Sequence, residues 1–450
     1  MILFHFGRCC RQLRHSDPMT FSEATHYLNA LIDYEKSPDF SYATAFKLDR
    51  VHALMAHLGD PFRSFGSVHI AGTKGKGSVA VFCEALLRAS GVRTGLFTSP
   101  HLVDFRERIR LNGAKISESL FADITTEIQS HVANWQVDHP DDRLSFFDLL
   151  TAIGFEAFRR SEVEIAVVEV GMGGRLDATN VLVPKVSVIT PVALEHTRFL
   201  GPTLEAIAAE KAGIIKERIP VVVAGQKPEA EAVIGRVAAG KDAPCTWVGR
   251  DVTFDETGEP WAVRLKTRSV DGVALKMQGV HQRQNFATAL AALDEIGCVP
   301  TEAVVQKVAA ETIIPGRMQV LPTRPPCMLD VAHTPESAAC LAEGIGQTFA
   351  GKQVTLAFSC ASDKQVEGIA QILAPVAQNV VIVPMSGPRA MSIDRMYDAW
   401  SRVHMRVERA DTISAALDRL KDSGPDDAWV VCGSFVLVGA AMQLLGYSPP

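Results

Sequence analysis

Ser67-Val-His-Ile-Ala-Gly72-Thr73-Lys74-Gly75-Lys76-Gly77-Ser78 sets a short apolar run directly ahead of a loop of glycines and lysines. The apolar half has the composition of a buried strand. Beyond the loop, the periodicity of Ser78 to Ser90 predicts a helix that Gly91 is placed to end. Strand, glycine-rich loop and helix in that order are the context of a phosphate-binding loop. Glycines let backbone N–H groups converge on phosphate oxygens without Cβ obstruction. The helix N-terminus adds the positive end of a dipole. In this reading Lys76 reaches the β- and γ-phosphates and Ser78 ligates Mg²⁺. The spacing is not a strict Walker pattern, because Gly77 separates Lys76 from Ser78 and Ile70 stands where a glycine would. On the loop alone, a glycine-rich strand–helix turn that binds nothing remains open.

The same alternation extends along the chain, the signature of α/β layers. Helical patterns cover Thr20 to Leu31, Leu48 to Leu58, Ser117 to Trp135, Phe146 to Arg160, Thr203 to Lys216 and His281 to Ile296. Strand patterns fall at Thr94 to Thr98, Val163 to Val170, Lys185 to Thr190 and Pro220 to Ala224. From Pro244 to Val280 the pattern changes: Thr246-Trp-Val, Ala262 to Lys266 and Val273 to Met277 predict a small antiparallel insertion. A pause at Ile314-Pro-Gly-Arg317 marks a boundary. Strands at Met328, Val354, Val380 and Trp429 then predict a second, smaller doubly wound unit.

Composition narrows the class. The 450 residues are 47% hydrophobic and 21% charged, which excludes disorder, collagen and coiled coil for the whole chain. A net charge of −6 and 7% aromatics argue against a dedicated nucleic-acid binder. Nine cysteines with no CxxC pair read as reduced, mostly buried thiols. Ala428 to Pro450 carries no charge, but its glycines and polar residues favour a buried strand, turn and helix over a membrane span. Residues 1–18, with Arg8, Arg11 and Arg14, read as a non-native or disordered extension ahead of Met19.

Four further clusters carry chemistry. Glu169, ending a buried strand ahead of Gly171-Met-Gly-Gly174, suits Mg²⁺ beside phosphate. His196 follows the strand at Thr190, and Lys211 sits in an otherwise apolar helix. Gln282 and Asn285 carry amides able to meet an adenine edge, and Arg317 can clamp phosphate. Asp330 and His333 occupy a strand-to-helix turn at the cleft position of the second unit. Taken singly, each is equally an ordinary cap, turn or solvated side chain.

In their order along the chain these strings resemble the folylpolyglutamate synthase/dihydrofolate synthase family of the Mur-ligase superfamily, from about Phe21 to Leu445. The matching strings are Gly72 to Ser78, Thr98-Ser-Pro-His-Leu102, Glu107-Arg-Ile-Arg-Leu-Asn-Gly113, Glu169 to Asn180, Glu210-Lys-Ala-Gly-Ile-Ile-Lys216, His281-Gln282 with Asn285, Pro315-Gly-Arg317 and Asp330 to Pro335. The resemblance implies a large P-loop ATPase-like domain with a central, mostly parallel sheet (19–314) and a smaller Rossmann-like C-terminal domain (315–450). It implies an ATP-dependent carboxylate–amine ligase that adds L-glutamate to dihydropteroate and to tetrahydrofolate polyglutamates through an acyl phosphate.

By resemblance, Gly72, Thr73, Lys74, Gly75, Lys76, Gly77, Ser78, Gln282, Asn285, Arg317, Asp330 and His333 bind ATP. Ser78 and Glu169 hold one Mg²⁺. His196 and a carbamylated Lys211 hold a second, and Lys76, His196 and Lys211 act in catalysis. A cytoplasmic monomer using neither nucleic acid nor membrane is expected. An extender of folate tails only, and a P-loop nucleotide-binding protein that is not a ligase, are the alternatives. This chain departs from the family pattern at Lys74 (for Asn), Glu195 (for Asp), Asp148 (for Glu), Val331 (for Gly) and Thr334 (for Asn).

Overall fold

The computed structural model describes residues 18–35, 42–139, 142–419, 423–424 and 426–449. The expected N-terminal extension therefore lies outside the described residues, apart from Pro18. The strand ahead of the glycine loop is β1 (Gly66–Ala71), with five of its six residues buried. Around it lie β2 (Thr94–Phe97), β3 (Ile109–Leu111), β4 (Ala114–Lys115), β5 (Ile165–Glu169), β6 (Val186–Ile189), β7 (Val221–Val223) and β8 (Cys245–Trp247). They form one sheet in the order β4-β3-β2-β5-β1-β6-β7-β8. From β2 to β8 the pairing is parallel, and β3 and β4 add an antiparallel edge. Buried on both faces, β5 and β6 are runs of apolar, mostly β-branched residues rather than alternating ones.

The strand order reverses at β1, which lies between β5 and β6. That reversal opens a crevice beyond the carboxyl ends of these three strands. The helix Lys76–Ala89 covers one face and packs on the helix Val280–Glu295, with the Phe82 and Phe286 rings edge to face at 5.1 Å.

A three-stranded antiparallel sheet holds β9 (Thr253–Phe254), β10 (Trp261–Arg264) and β11 (Ser269–Val273). Two expectations are corrected here. Thr246-Trp-Val is not part of this insertion, because β8 pairs parallel with β7 as the edge of the main sheet. An edge strand is half-exposed and so alternates like a hairpin strand. The last insertion strand also lies earlier than Val273 to Met277. A register shift opposite Trp261 and Val263 breaks the two-residue period, so Val270 and Val273 both turn inward.

The remaining strands are β12 (Gln319–Leu321), β13 (Cys327–Asp330), β14 (Gln353–Phe358), β15 (Asn379–Ile382), β16 (Val407–Arg409) and β17 (Asp427–Cys432). Their sheet runs β12-β13-β17-β14-β15-β16, parallel except for β12. The uncharged C-terminal stretch forms β17 and the helix Phe435–Leu444. Among the described residues no helix is long and apolar enough to cross a membrane. The described cysteines are all free thiols, with Cys83, Cys327, Cys360 and Cys432 buried.

Candidate active site

The helix after the phosphate loop begins at Lys76, two residues before the periodicity predicted. Its N-cap is Gly75, left-handed at φ 86°, with no side-chain cap. Most other long helices here are closed by a Ser or Thr, as Ser117, Ser145, Thr203 and Thr334 do. An uncapped N-terminus leaves donors for an anion. The first turn carries no acid that would compete with one. The loop allows no side chain at two of its glycines: a Cβ on Gly72 would overlap Thr190, and one on Gly75 would overlap the Asn285 amide. Asn285 is itself held by its Nδ2, which donates to Gln282 Oε1 at 3.0 Å. Both amides are buried, and that of Asn285 lies against the loop.

Glu169 ends β5 with its Oε2 3.5 Å from where a Gly77 Cβ would stand. Burial raises its pKa, and the charges of Lys76, Arg317 and Arg108 and the Ser99 N–H oppose that rise. The carboxylate sits where a cation is wanted. Ser78 is buried close by in the first turn of the helix.

Lys211 lies on the helix Leu204–Ala212, which stops at Gly213 rather than continuing to Lys216. Gly213 has no room for a Cβ beside Arg175. The Lys211 Nζ is buried and donates to the Gly72 carbonyl at 2.6 Å. Burial and the neighbouring Lys76 bring its pKa down to about 7. It has no ion-pair partner among the described residues. Glu210 instead binds Arg175 at 2.8 Å and accepts from Tyr42 Oη at 3.2 Å. His196, left-handed at φ 52°, is exposed at its surface but crowded by protein around the ring, which with the charges of Lys364, Lys211 and Lys76 lowers its pKa.

The second sheet brings its own strand ends to the same crevice. Asp330 at the end of β13 accepts from the N–H groups of Met318 and Ala332. Arg317 is half-buried, lies over the Phe435 ring at 5.1 Å, and feels the charges of both Asp330 and Glu169. His333 Nδ1 faces the Val331 carbonyl at 2.9 Å and its Nε2 faces Glu195 Oε1 at 3.3 Å. Lys74 Nζ is engaged by Glu195 at 3.2 Å. Thr334 caps the helix Pro335–Thr348 through a reciprocal pair with Ser337.

Sequence reasoning missed several supporting groups. Asp177 takes the N–H groups of Met172 and Thr179 and the Thr179 hydroxyl, fixing the glycine turn; burial pushes its pKa up to about 6. Beneath it, His69 Nε2 meets Thr179 Oγ1 at 2.9 Å. Arg108 makes a bidentate pair with Glu35 at 2.8 and 2.7 Å. Lys364, in the loop after β14, reaches Glu195 at 3.9 Å. A polar residue just past a parallel strand's end was the available signal for Lys364.

A phosphate loop at the switch point of one parallel sheet, met by the strand ends of a second, is the architecture of an ATP-dependent ligase of the Mur type. The Mur ligase middle domain model matches residues 70–293, and the Mur ligase, glutamate ligase domain model matches 316–435. A dihydrofolate synthase/folylpolyglutamate synthase of Mycobacterium tuberculosis is 35% identical over 448 residues, covering 89% of this chain and 90% of that one. The M. tuberculosis folylpolyglutamate synthase solved with ADP and AMPPCP has a TM-score of 0.87 at 32% identity, covering 96% and 99%. A bifunctional Yersinia pestis enzyme solved with AMPPNP and a Mn ion has a TM-score of 0.82 at 29% identity, covering 95% and 98%. The chain belongs to the folylpolyglutamate synthase/dihydrofolate synthase family and is an ATP-dependent ligase acting on small molecules.

Proposed function

We propose that this chain joins L-glutamate to dihydropteroate and to folates already carrying glutamate, driven by ATP. The observation that carries the reading is Glu169, buried against Gly77 of the phosphate loop with Lys76 and Arg317 supplying opposing charge. The names of the relatives support both acceptors.

A carboxylate is a poor electrophile, so the acceptor must first be activated. Its carboxylate oxygen attacks the γ-phosphorus and ADP leaves, giving an acyl phosphate. The glutamate amine then attacks the acyl carbon, phosphate departs, and the amine loses a proton. Lys76 and the loop N–H groups hold the phosphates and offset the charge that develops on them. Gln282, Asn285, Arg317, Asp330 and His333 enclose the nucleotide, with 19–314 binding it and 315–450 closing over it. Closure excludes the water that would hydrolyse the acyl phosphate.

Ser78 and Glu169 would hold one Mg²⁺, and His196 with carbamylated Lys211 a second. The oxygens of Ser78, Glu169 and the Lys211 carbamate suit a hard cation, and His196 would add an imidazole nitrogen. Among the described residues no three His, Cys, Asp or Glu side chains gather as a metal cluster. That suits Mg²⁺, which takes most of its ligands from phosphate and water. The bound ion would neutralise phosphate charge. Lys211 as an ammonium would repel it. The buried amine, with its pKa brought down to about 7, supplies the neutral nucleophile that CO₂ requires.

The test is ADP release with glutamate plus either dihydropteroate or tetrahydrofolate, with the amide identified by mass spectrometry. Amide from both acceptors is expected. Amide from tetrahydrofolate alone would leave an extender, and ATP hydrolysis without amide would remove the ligase reading.

A further inference from the structure

Glu195 is a side chain that both halves of the cleft grip. It stands just past β6, 14% exposed, and one carboxylate oxygen takes Lys74 of the phosphate loop at 3.2 Å. The other oxygen faces two groups of the C-terminal unit, His333 Nε2 at 3.3 Å and Lys364 Nζ at 3.9 Å. The chain of charge continues from there. Lys364 also pairs with Asp363 at 3.3 Å, and Asp363 with Arg389 at 2.8 Å. Arg389 then crosses back to the N-terminal unit, donating to the Glu35 carbonyl at 2.8 Å. Two oxygens thus serve three cationic or donor groups drawn from three separate loops.

We propose that Glu195 is a positioning residue that ties the phosphate loop to the C-terminal unit. Through Lys74 it fixes the loop, and through Lys364 and His333 it draws the second unit over the nucleotide. This rests on the ligase reading above. The extra methylene of Glu over Asp gives the carboxylate the reach to span both sides. The Lys74 ammonium, long where an asparagine would be short, meets it from the loop. Lys74 is thereby drawn toward Glu195. The bridge keeps the cleft shut during the interval in which an acyl phosphate exists.

Loosening the bridge lets water in. Water attacks the acyl phosphate in place of the glutamate amine, returning the carboxylate and releasing phosphate and a proton. ADP then forms without amide. The experiment measures ADP and amide in the same reaction, with the KM for glutamate, for the full-length wild type, Glu195→Gln, Glu195→Asp and Lys364→Met.

The wild type should form nearly one ADP per amide. Glu195→Gln should raise that ratio by about threefold or more and raise the glutamate KM more than it lowers the rate of ADP release. Lys364→Met should move both in the same direction. Glu195→Asp, which keeps the charge, should recover part of the coupling. A side chain that only stabilises the fold would lower ADP and amide together and leave their ratio near one. That result in Glu195→Gln, or in Lys364→Met should Glu195→Gln not fold, overturns the proposal. A wild type that makes no amide at all would instead overturn the ligase reading and not this one alone.

Discussion

Lys76 and Lys211 both lie beside the same loop. Lys76 is the first residue of an uncapped helix, and its charge acts on Glu169 beside the loop. Replacing Lys76 by Ala should lower kcat by about 10²–10³ or more, the range for losing one preorganised charge-stabilising donor. Circular dichroism should show an intact fold, and near-normal turnover would remove Lys76 from the phosphate site. Lys211 is buried, its Nζ bound to a loop carbonyl. Burial disfavours the ammonium, so the amine is neutral above about pH 7 and protonated below it. Carbamate formation consumes the neutral amine, so activity limited by it should rise with pH through that value and fall below it. A pH–rate profile in bicarbonate buffer should show this limb, and Lys211→Ala should lose activity and regain part with a short-chain carboxylic acid. Wild-type rates for Lys211→Ala in CO₂-depleted buffer would leave the lysine no metal-organising role.

The elements reaching the cleft differ in how their ends are satisfied. The helix Lys76–Ala89 leaves its first N–H groups to a ligand, whereas the helix Pro335–Thr348 is closed by its own sequence. Thr334 accepts from the Ser337 N–H, and the Ser337 hydroxyl accepts from the Thr334 N–H at 3.0 Å. The substitution of Thr for the family's Asn is therefore a change of cap. Thr334→Ala should cost about 1 kcal/mol, and Thr334→Asn should stay within about half of that. Urea unfolding of the two variants measures the difference. Equal midpoints for Ala and Thr would show that the capping box contributes nothing. Asp148 is another departure with a local account: its carboxylate accepts the N–H of Ser145, the N-cap of the helix Phe146–Arg160, and pairs with buried Arg50 at 2.7 Å. The shorter carboxylate still reaches both the cap and the arginine.

The two sheets meet through backbone as well as charge. Gly439, in the helix Phe435–Leu444, lies against the Leu102 carbonyl so closely that any Cβ would overlap it. Leu102 also packs into the core of the C-terminal sheet. The loop that holds it is pinned by Glu107, whose carboxylate accepts the N–H groups of Leu102, Val103 and Asp104, each at 2.8 Å. Leu102 therefore acts as a docking point between the two sheets. Gly439→Leu should force the halves apart at a cost of about 1–3 kcal/mol, as overpacking does. Each sheet should keep its secondary structure while kcat/KM falls. Unchanged kcat/KM would show that this contact does not govern the active arrangement.

Periodicity, β-branching and glycine placement act between neighbours, so β1, the glycine loop and the helix after it could be read from the chain directly. So could the alternation that makes both sheets mostly parallel. The matching strings likewise mark Glu169, Lys211, Asn285 and Arg317 as candidates. Sheet membership of β8 could not be read, because an edge strand and a hairpin strand share one pattern and differ only in their partner. Nor could the bridge at Glu195. Its bonds to Lys74 and His333 join residues 121 and 138 positions apart, and nothing local to any of them encodes the other. The same holds for the Lys211 amine, whose low pKa comes from burial and from Lys76 on another element. The sequence determined which segments become strands, loops and helices, since those preferences are settled within a few residues. Tertiary packing alone decided which charges meet and which are stripped of water, because both depend on what the rest of the chain brings to the spot.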